Sequence, residues 1–149
     1  MQLLTFILGG VEYGMPVSDV MSIENRMEPL RIPDSPRYID GIINLHGSIV
    51  PVYNLAERFG CKGEQIHNII VSNVGGMKVG LEVGSVREIM EAGSSSVNAM
   101  PELMNYTQNF FREVVARDKA LIGVLDVNSL ITQEEKEGIR KLIDDNSNR

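Results

Sequence analysis

Short runs of apolar and often β-branched residues alternate with glycine and proline along this chain, at intervals of roughly ten residues. This spacing is typical of an all-β sandwich or barrel. We therefore predict ten strands, five in each half of the chain: 3–8, 11–17, 20–24, 41–45 and 48–53, and then 66–74, 77–83, 86–91, 111–116 and 120–127. Residues 54–59 predict a short helix that ends at Gly60.

The pattern becomes helical near the end of the chain, and we predict a helix over residues 132–145. Thr132 and Glu135 have the spacing of a capping box, in which each residue binds a free backbone N–H of the first helical turn. Ile139, Leu142 and Ile143 then form one apolar stripe, which is enough to pack the helix on a β-sheet.

The second set of strands repeats the first. GGVEYGMPVSDVMSI at residues 9–23 aligns with GGMKVGLEVGSVREI at residues 75–89, and IVPVYN at 49–54 aligns with LIGVLD at 121–126. The offset grows from 66 to 72 residues, which indicates a longer loop in the second copy. We predict one domain over 1–149, built from two packed five-stranded barrels at about 9–64 and 65–131, with an N-terminal strand that can exchange between them.

The repeated glycine pairs Gly9-Gly10 and Gly75-Gly76 predict tight hairpins, because such turns need positive φ angles. A glycine loop that binds phosphate would be followed by a helix, whereas both pairs here lead into a strand pattern. We therefore assign them to turns, together with Gly41, Gly47 and Pro51.

Composition excludes several classes of protein. The net charge is −6 and aromatic residues make up 5% of the chain without any tryptophan, so nucleic acid is an unfavourable partner. Cys61 is the single cysteine, which precludes an internal disulfide and suggests a reducing compartment such as the cytoplasm. The chain has no apolar run of ~18 residues, so we expect no membrane insertion.

Candidate catalytic and metal-binding residues are few. His46, His67 and Cys61 lack the spacing of a metal site, and Cys61 follows a predicted helix end rather than a helix start, where thiols are activated. No serine lies in a nucleophile elbow. We predict a protein without catalytic residues, metal or cofactor, which acts by holding other proteins together.

Residues 38–55, YIDGIINLHGSIVPVYNL, closely resemble the signature of CheW-like chemotaxis coupling proteins. Further matches in the same order are FILG at 6–9, RIP at 31–33, GLEV at 80–83 and residues 121–130. The resemblance implies two SH3-like five-stranded barrels without catalysis. It also implies an adaptor that links the cytoplasmic tips of chemoreceptors to the regulatory domain of the chemotaxis histidine kinase, at membrane-associated receptor arrays.

The resemblance also suggests contact residues. Val20 falls in the receptor-facing region, and we add Val17 and Val86 as candidates, although core packing explains apolar strand residues equally well. His46 stands where the family usually has arginine. Arginine is permanently charged and forms a two-pronged contact, whereas histidine changes charge between pH ~5 and ~8, so we predict an altered partner contact.

Two other departures and three alternatives remain. Gly84 stands where the family often has aspartate, and Glu113 stands where it often has glycine, which puts partner contacts near them in doubt.

The alternatives are a specialised CheW-like protein of another chemosensory pathway such as twitching motility, an oligonucleotide-binding barrel, and a hydrolase that uses His46 with Asp40. Acidity and few aromatic residues argue against the second, and the third lacks a nucleophile.

Overall fold

A computed structural model describes residues 1–61, 63–93, 97–99 and 110–147. Within these ranges there are eleven strands. They are β1 (Gln2–Leu8), β2 (Val11–Pro16), β3 (Val20–Asn25), β4 (Ile39–Leu45), β5 (Ser48–Asn54), β6 (Asn68–Val74), β7 (Met77–Val83), β8 (Ser85–Glu91), β9 (Val97–Ala99), β10 (Phe111–Arg117) and β11 (Ala120–Leu125). The predicted strands match ten of these to within two residues at each end, and the three-residue β9 was not predicted.

The helices of the described ranges are α1 (Leu55–Arg58), α2 (Val127–Leu130) and α3 (Gln133–Ser147), and Val17–Asp19 form a 3-10 turn. The sequence predicted α1 and α3 but placed Val127 in a strand. The last strand instead ends at Leu125. Asp126 is the N-cap residue of α2, so the chain enters that helix directly after the strand. A single helical turn is too short to show the 3.6-residue period by which helices are recognised.

The strands form two sheets whose orders correspond. Sheet I has the order β8-β1-β2-β11-β10-β9, and sheet II has the order β3-β6-β7-β5-β4. Each strand of sheet II is the repeat counterpart of the strand at the same place in sheet I, apart from the extra β9. The fold is therefore the predicted all-β body with internal duplication and a C-terminal helix.

Strand pairing does not follow the two halves of the chain. Sheet I combines β1 and β2 with β8–β11, and sheet II combines β6 and β7 with β3–β5, so the first hairpin of each repeat pairs with the other repeat. The predicted lobes at 9–64 and 65–131 thus do not coincide with the sheets, and exchange involves more than an N-terminal strand. Sequence offsets identify the copies, but they carry no information about which copy a hairpin pairs with.

The registers of the two sheets show the same symmetry. β2 runs parallel to β11 with Gly14 opposite Val124, and β7 runs parallel to β5 with Gly80 opposite Val52. These pairs are related by the offsets of 66 and 72 residues found in the sequence. The duplication therefore extends to individual strand contacts.

Three apolar clusters support this arrangement. Leu3, Val115 and Val124 pack inside sheet I, and Val50 and Ile69 pack inside sheet II. A larger cluster lies between the sheets and under the helices; its members include Leu4, Phe6, Met15, Tyr53, Ile70, Leu81, Phe110, Leu125, Leu130, Ile139 and Leu142. Because the largest cluster is shared, the two sheets bury their apolar surface together.

Helix α3 packs on sheet II in the way that its sequence predicted. The Glu135 N–H donates to Thr132 Oγ1 at 3.2 Å and the Thr132 N–H donates to Glu135 Oε1 at 3.4 Å, so the capping box is present. Ile139 is fully buried and Leu142 nearly so. The helix therefore closes one side of sheet II.

Candidate functional site

Two chain crossovers between the sheets hold three of the predicted contact residues. Val17 is the first residue of the 3-10 turn that carries the chain from β2 to β3, and Val20 directly follows that turn. Val86 follows the step from β7 to β8 at Gly84. All three are half-buried and pack against the central cluster. Their side chains therefore serve the core and also offer part of their surface to solvent.

His46 lies at the tip of the β4–β5 hairpin, where its side chain is exposed. Its φ is +52° and that of Gly47 is +87°, which is the backbone of a type I′ turn. The Gly47 N–H donates to Asn44 Oδ1 at 2.9 Å and fixes the turn. Histidine tolerates this conformation better than bulky or β-branched residues do, so the tip presents its imidazole outward.

The structure places His46 beside β3 rather than beside Val86. His46, Leu45 and Lys78 line a groove of about 250 Å³ with Met21 of β3, and Val71 lies among its lining residues. The Met21 side chain is 50% exposed, and Ile23 on the same edge strand is 43% exposed. We call Met21, Leu45, His46 and Lys78 the sheet II groove. Sequence analysis identified His46 in it but did not single out Met21.

Charged side chains occupy the matching end of sheet I. Arg117 Nη1 binds Glu88 Oε1 at 2.5 Å, Arg117 Nη2 binds Glu12 Oε1, and Arg87 Nη1 lies 3.4 Å from Glu12 Oε1. The hydrogen bond to Glu12 is the main reason that the pKa of Arg117 is raised. Because β10 and β8 are separated by three strands in the sheet order, these contacts require sheet I to curl into a barrel.

An aromatic cluster fills the junction of sheet I with α1. The rings of Tyr13 and Phe111 are stacked with centroids 5.6 Å apart, and those of Phe59 and Phe110 are stacked at 5.0 Å. Burial, followed by the nearby Cys61 thiol, raises the pKa of Tyr13. The Tyr13 phenol therefore stays protonated at neutral pH, and the aromatic cluster contributes to packing rather than to catalysis.

The structure explains one departure from the family pattern. A Cβ at Gly84 would lie 2.6 Å from the Ile7 carbonyl oxygen and 2.7 Å from Glu64 Oε1. The Glu64 carboxylate accepts the Gly9 N–H at 2.8 Å. A carboxylate from the loop before β6 therefore occupies the space that a side chain at position 84 would enter.

The remaining candidates are dispersed. His46 and Asp40 lie near opposite ends of β4, about 20 Å apart at the rise of a strand, so the pair proposed for a hydrolase does not form. In the described parts of the chain, no group of three or more histidine, cysteine or acidic residues is placed to hold a metal ion. The described helices also include none that is long and apolar enough to span a membrane.

The sequence and the fold of this chain are similar to those of known proteins. The sequence profile of the CheW-like domain matches residues 2–135. The chain belongs to the family of CheW-like domains. The probable chemotaxis protein CheW of Rhizobium etli is 31% identical over 140 residues, covering 91% of this chain and 90% of that protein. The chemotaxis protein CheW of Bacillus subtilis is 27% identical with the same coverage.

A solved structure supports the same conclusion. The crystal structure of the scaffolding protein TtCheW from Thermoanaerobacter tengcongensis superposes with a TM-score of 0.80 and 28% identity, covering 90% of this chain and 89% of that one. The predicted fold and family are thereby confirmed. This CheW-like chain is a non-catalytic adaptor of chemotaxis-type signalling, and an oligonucleotide-binding function is not favoured.

Proposed function

We propose that this CheW-like chain couples the cytoplasmic tips of chemoreceptors to the regulatory domain of a chemotaxis histidine kinase, within receptor arrays at the membrane. The match of the family profile to residues 2–135 is the observation that carries the proposal, because it spans both sheets. A protein that bridges two partners needs two separate surfaces, and the described residues offer two candidates.

The first candidate surface is formed by the crossovers between the sheets. Val17, Val20 and Val86 are half-buried there and rest on the central cluster. Apolar side chains that are supported from below and open on one side can receive the apolar face of a helix. We assign the receptor helix hairpin to this surface.

The second candidate surface is the sheet II groove together with the exposed edge strand β3. Met21 and Ile23 lie on β3, which is an edge strand, and both are unusually exposed for large apolar residues. Edge strands and exposed apolar patches are features of protein-interaction sites. We assign the kinase regulatory domain to this groove, with His46 and Lys78 at its rim.

A pull-down with purified kinase regulatory domain and a receptor tip peptide tests both assignments. Met21→Glu should reduce kinase binding at least tenfold and leave receptor binding unchanged, since it introduces a charge into an apolar contact. Leu121→Glu is the matched control, because Leu121 is 67% exposed on sheet I. If the unmodified chain binds neither partner, the proposed function is wrong; if Met21→Glu binds both normally, the groove is wrongly assigned.

Position 46 provides a finer test of the kinase surface. We expect His46→Arg to strengthen a contact with a partner carboxylate and to make the affinity less dependent on pH between ~5.5 and ~8, because arginine keeps its charge. Titration calorimetry at pH 5.5, 6.5 and 7.5 would measure both effects. Equal affinities and equal pH dependence for the two proteins would show that His46 makes no such contact.

A further inference from the structure

Glu82 is a buried carboxyl group at the end of sheet II opposite to the groove. It lies on β7, beside Ile69 of β6 and Asn54 of β5. Its exposed fraction is 3%, and Oε1 has no hydrogen-bond donor within the described parts of the chain. An ionised carboxylate in such a place would lack both water and a cation, which is strongly unfavourable.

The nearest titratable group is a second carboxyl. Asp40 lies at the β-bulge of β4, half-buried, and its Oδ2 accepts a hydrogen bond from Asn54 Nδ2 at 3.1 Å. Asn54 is also the parallel neighbour of Glu82, so this amide lies between the two carboxyl groups. Two carboxyl groups can share a hydrogen bond only if one of them carries a proton.

The other charged groups near Glu82 come from the segment after β3. Arg26 and Glu28 bind each other, with Arg26 Nη2 at 2.8 Å from Glu28 Oε2, and both are largely exposed. The attraction of Arg26 is therefore offset by the repulsion of Glu28. Burial is the largest cause of the shift, and the hydrogen bond with Asp40 is the next; together they raise the pKa of Glu82 to about 8.

This carboxyl pair is specific to one copy of the duplication. The offsets that relate the sheets place Pro16 of β2 at the position of Glu82 and Arg112 of β10 at the position of Asp40. Arg112 lies 3.8 Å from Glu113. Sheet I thus has a proline and an arginine where sheet II has two acids, so the pair is not required by the fold.

We propose that Asp40 and Glu82 hold one proton between them at neutral pH, and that its loss at alkaline pH loosens the β4–β5 hairpin from β7. With the proton present, Glu82 donates to the Asp40 carboxylate and ties this hairpin to β7. When the proton leaves to solvent, two like charges face each other in a buried place. The hairpin of β4 and β5 carries His46 at its tip, so the loosening acts on the kinase-facing groove as well as on stability.

The direction of the pH effect follows from proton counting. The ordinary pKa of this side chain is 4.5, and the folded protein keeps the proton up to about pH 8. Between these values the folded state holds one proton more than the unfolded state, so stability falls as pH rises. The contribution is complete below pH 4.5 and is lost as pH rises through about 8.

Urea unfolding from pH 5.5 to 9 tests the proposal, comparing the unmodified chain with Glu82→Gln. Glutamine keeps the shape and cannot ionise. The ratio of the two unfolding constants should change by up to about tenfold per pH unit, since one proton is involved, and should level off above pH ~8.5. Glu57→Gln, at an exposed glutamate, is the matched control and should run parallel to the unmodified chain.

Carbon-13 NMR of labelled glutamate carboxyls in the unmodified protein gives an independent reading, which remains valid if Glu82→Gln fails to fold. One glutamate should titrate well above pH 6, and Asp40→Asn should change the pH at which it does so. Parallel unfolding curves for the unmodified chain and Glu82→Gln, or titration of every glutamate below pH 6, would overturn the proposal. Neither result would affect the proposed adaptor function, which rests on partner binding.

Discussion

Sheet I and sheet II carry corresponding strands in the same order, yet they differ at matching places. The four charged residues joined at the end of sheet I are Glu12, Arg87, Glu88 and Arg117. Their counterparts in sheet II are Lys78, Met21, Ser22 and Leu45, and all four line the open groove. One copy closes this end with ion pairs, whereas the other leaves an open groove that Met21, Leu45 and Val71 line together with polar side chains.

The two sheets also differ on one side, where sheet I is the more exposed of the two. Helix α3 covers sheet II, where Met77 is 5% exposed. The counterpart of Met77 in sheet I is Val11, which is 49% exposed, and Leu121 on the adjacent strand β11 is 67% exposed. The two copies thus share one framework and differ in what covers it. Ion pairs close the end of sheet I that stays open in sheet II, and α3 covers the side of sheet II that stays exposed in sheet I.

The largest expected effect concerns the covered side. Ile139→Ala should destabilise the protein by about 3 kcal/mol, because it leaves a cavity under α3 in a fully buried contact. Leu121→Ala, on the uncovered side of sheet I, should cost less than about 0.5 kcal/mol. Chemical unfolding monitored by circular dichroism measures both. Similar losses for the two variants would show that α3 is not the element that distinguishes the sides.

A smaller effect is expected at the bulge of each sheet. A Cβ at Gly41 would lie 2.2 Å from the Leu30 carbonyl oxygen, which is backbone and cannot move freely because Leu30 pairs with Ile42. Gly41→Ala should therefore cost about 2 kcal/mol. Glu113, the counterpart in sheet I, already carries a side chain, and Glu113→Ala should change stability by less than about 0.5 kcal/mol. A tolerated Gly41→Ala would contradict the close approach.

The ion pairs at the end of sheet I should contribute less again. Arg117→Ala removes one of the two arginine partners of Glu12, whose Oε2 is already buried without a donor from the described residues. We expect a loss of about 1.5 kcal/mol at low salt and roughly half of that in concentrated salt, because partly exposed pairs are screened. Leu45→Ala in sheet II should show no salt dependence. Unfolding at two salt concentrations compares them.

The smallest effect concerns the helical turns that follow β5 and β11. Asn54 Oδ1 accepts the Glu57 N–H at 3.0 Å and caps α1, whereas Asp126 makes no such bond at α2. Asn54→Ala should cost about 1 kcal/mol through the lost cap, and it also removes the hydrogen bond from Asn54 Nδ2 to Asp40. Asp126→Ala should cost less than about 0.5 kcal/mol. Equal values from thermal unfolding would mean that the two caps are energetically equivalent.

Local features of the fold were accessible from the sequence. Alternation of apolar residues and turn glycines predicted ten of the eleven strands, and Thr132 with Glu135 predicted the start of α3. Both signals act over a few residues, so no distant contact is needed to recognise them. The single-turn α2 and the short β9 were missed because neither is long enough to show a period.

The candidate surfaces were accessible only in part. His46 stood out because it departs from a motif, and Val17, Val20 and Val86 stood out through the family resemblance. Met21, Ile23 and Lys78 gave no comparable signal, because the sequence of a strand does not show whether one of its apolar or charged residues faces the core or the solvent. Glu82 was likewise one of many acidic residues until its burial was known.

The sequence by itself determined the repeat, ten of the eleven described strands and the family of this protein; Gly41 and Pro51, which it assigned to turns, lie within β4 and β5. Tertiary structure decided that the first hairpin of each copy pairs with the other copy, that Arg117 meets Glu12 and Glu88, and that Glu82 is buried beside Asp40. The physical reason is the range of the forces involved. Backbone conformation and alternation are encoded over a few residues. The contacts of Arg117, in comparison, join residues 29 and 105 positions apart, and such distant contacts form only when the sheets bury their apolar faces together.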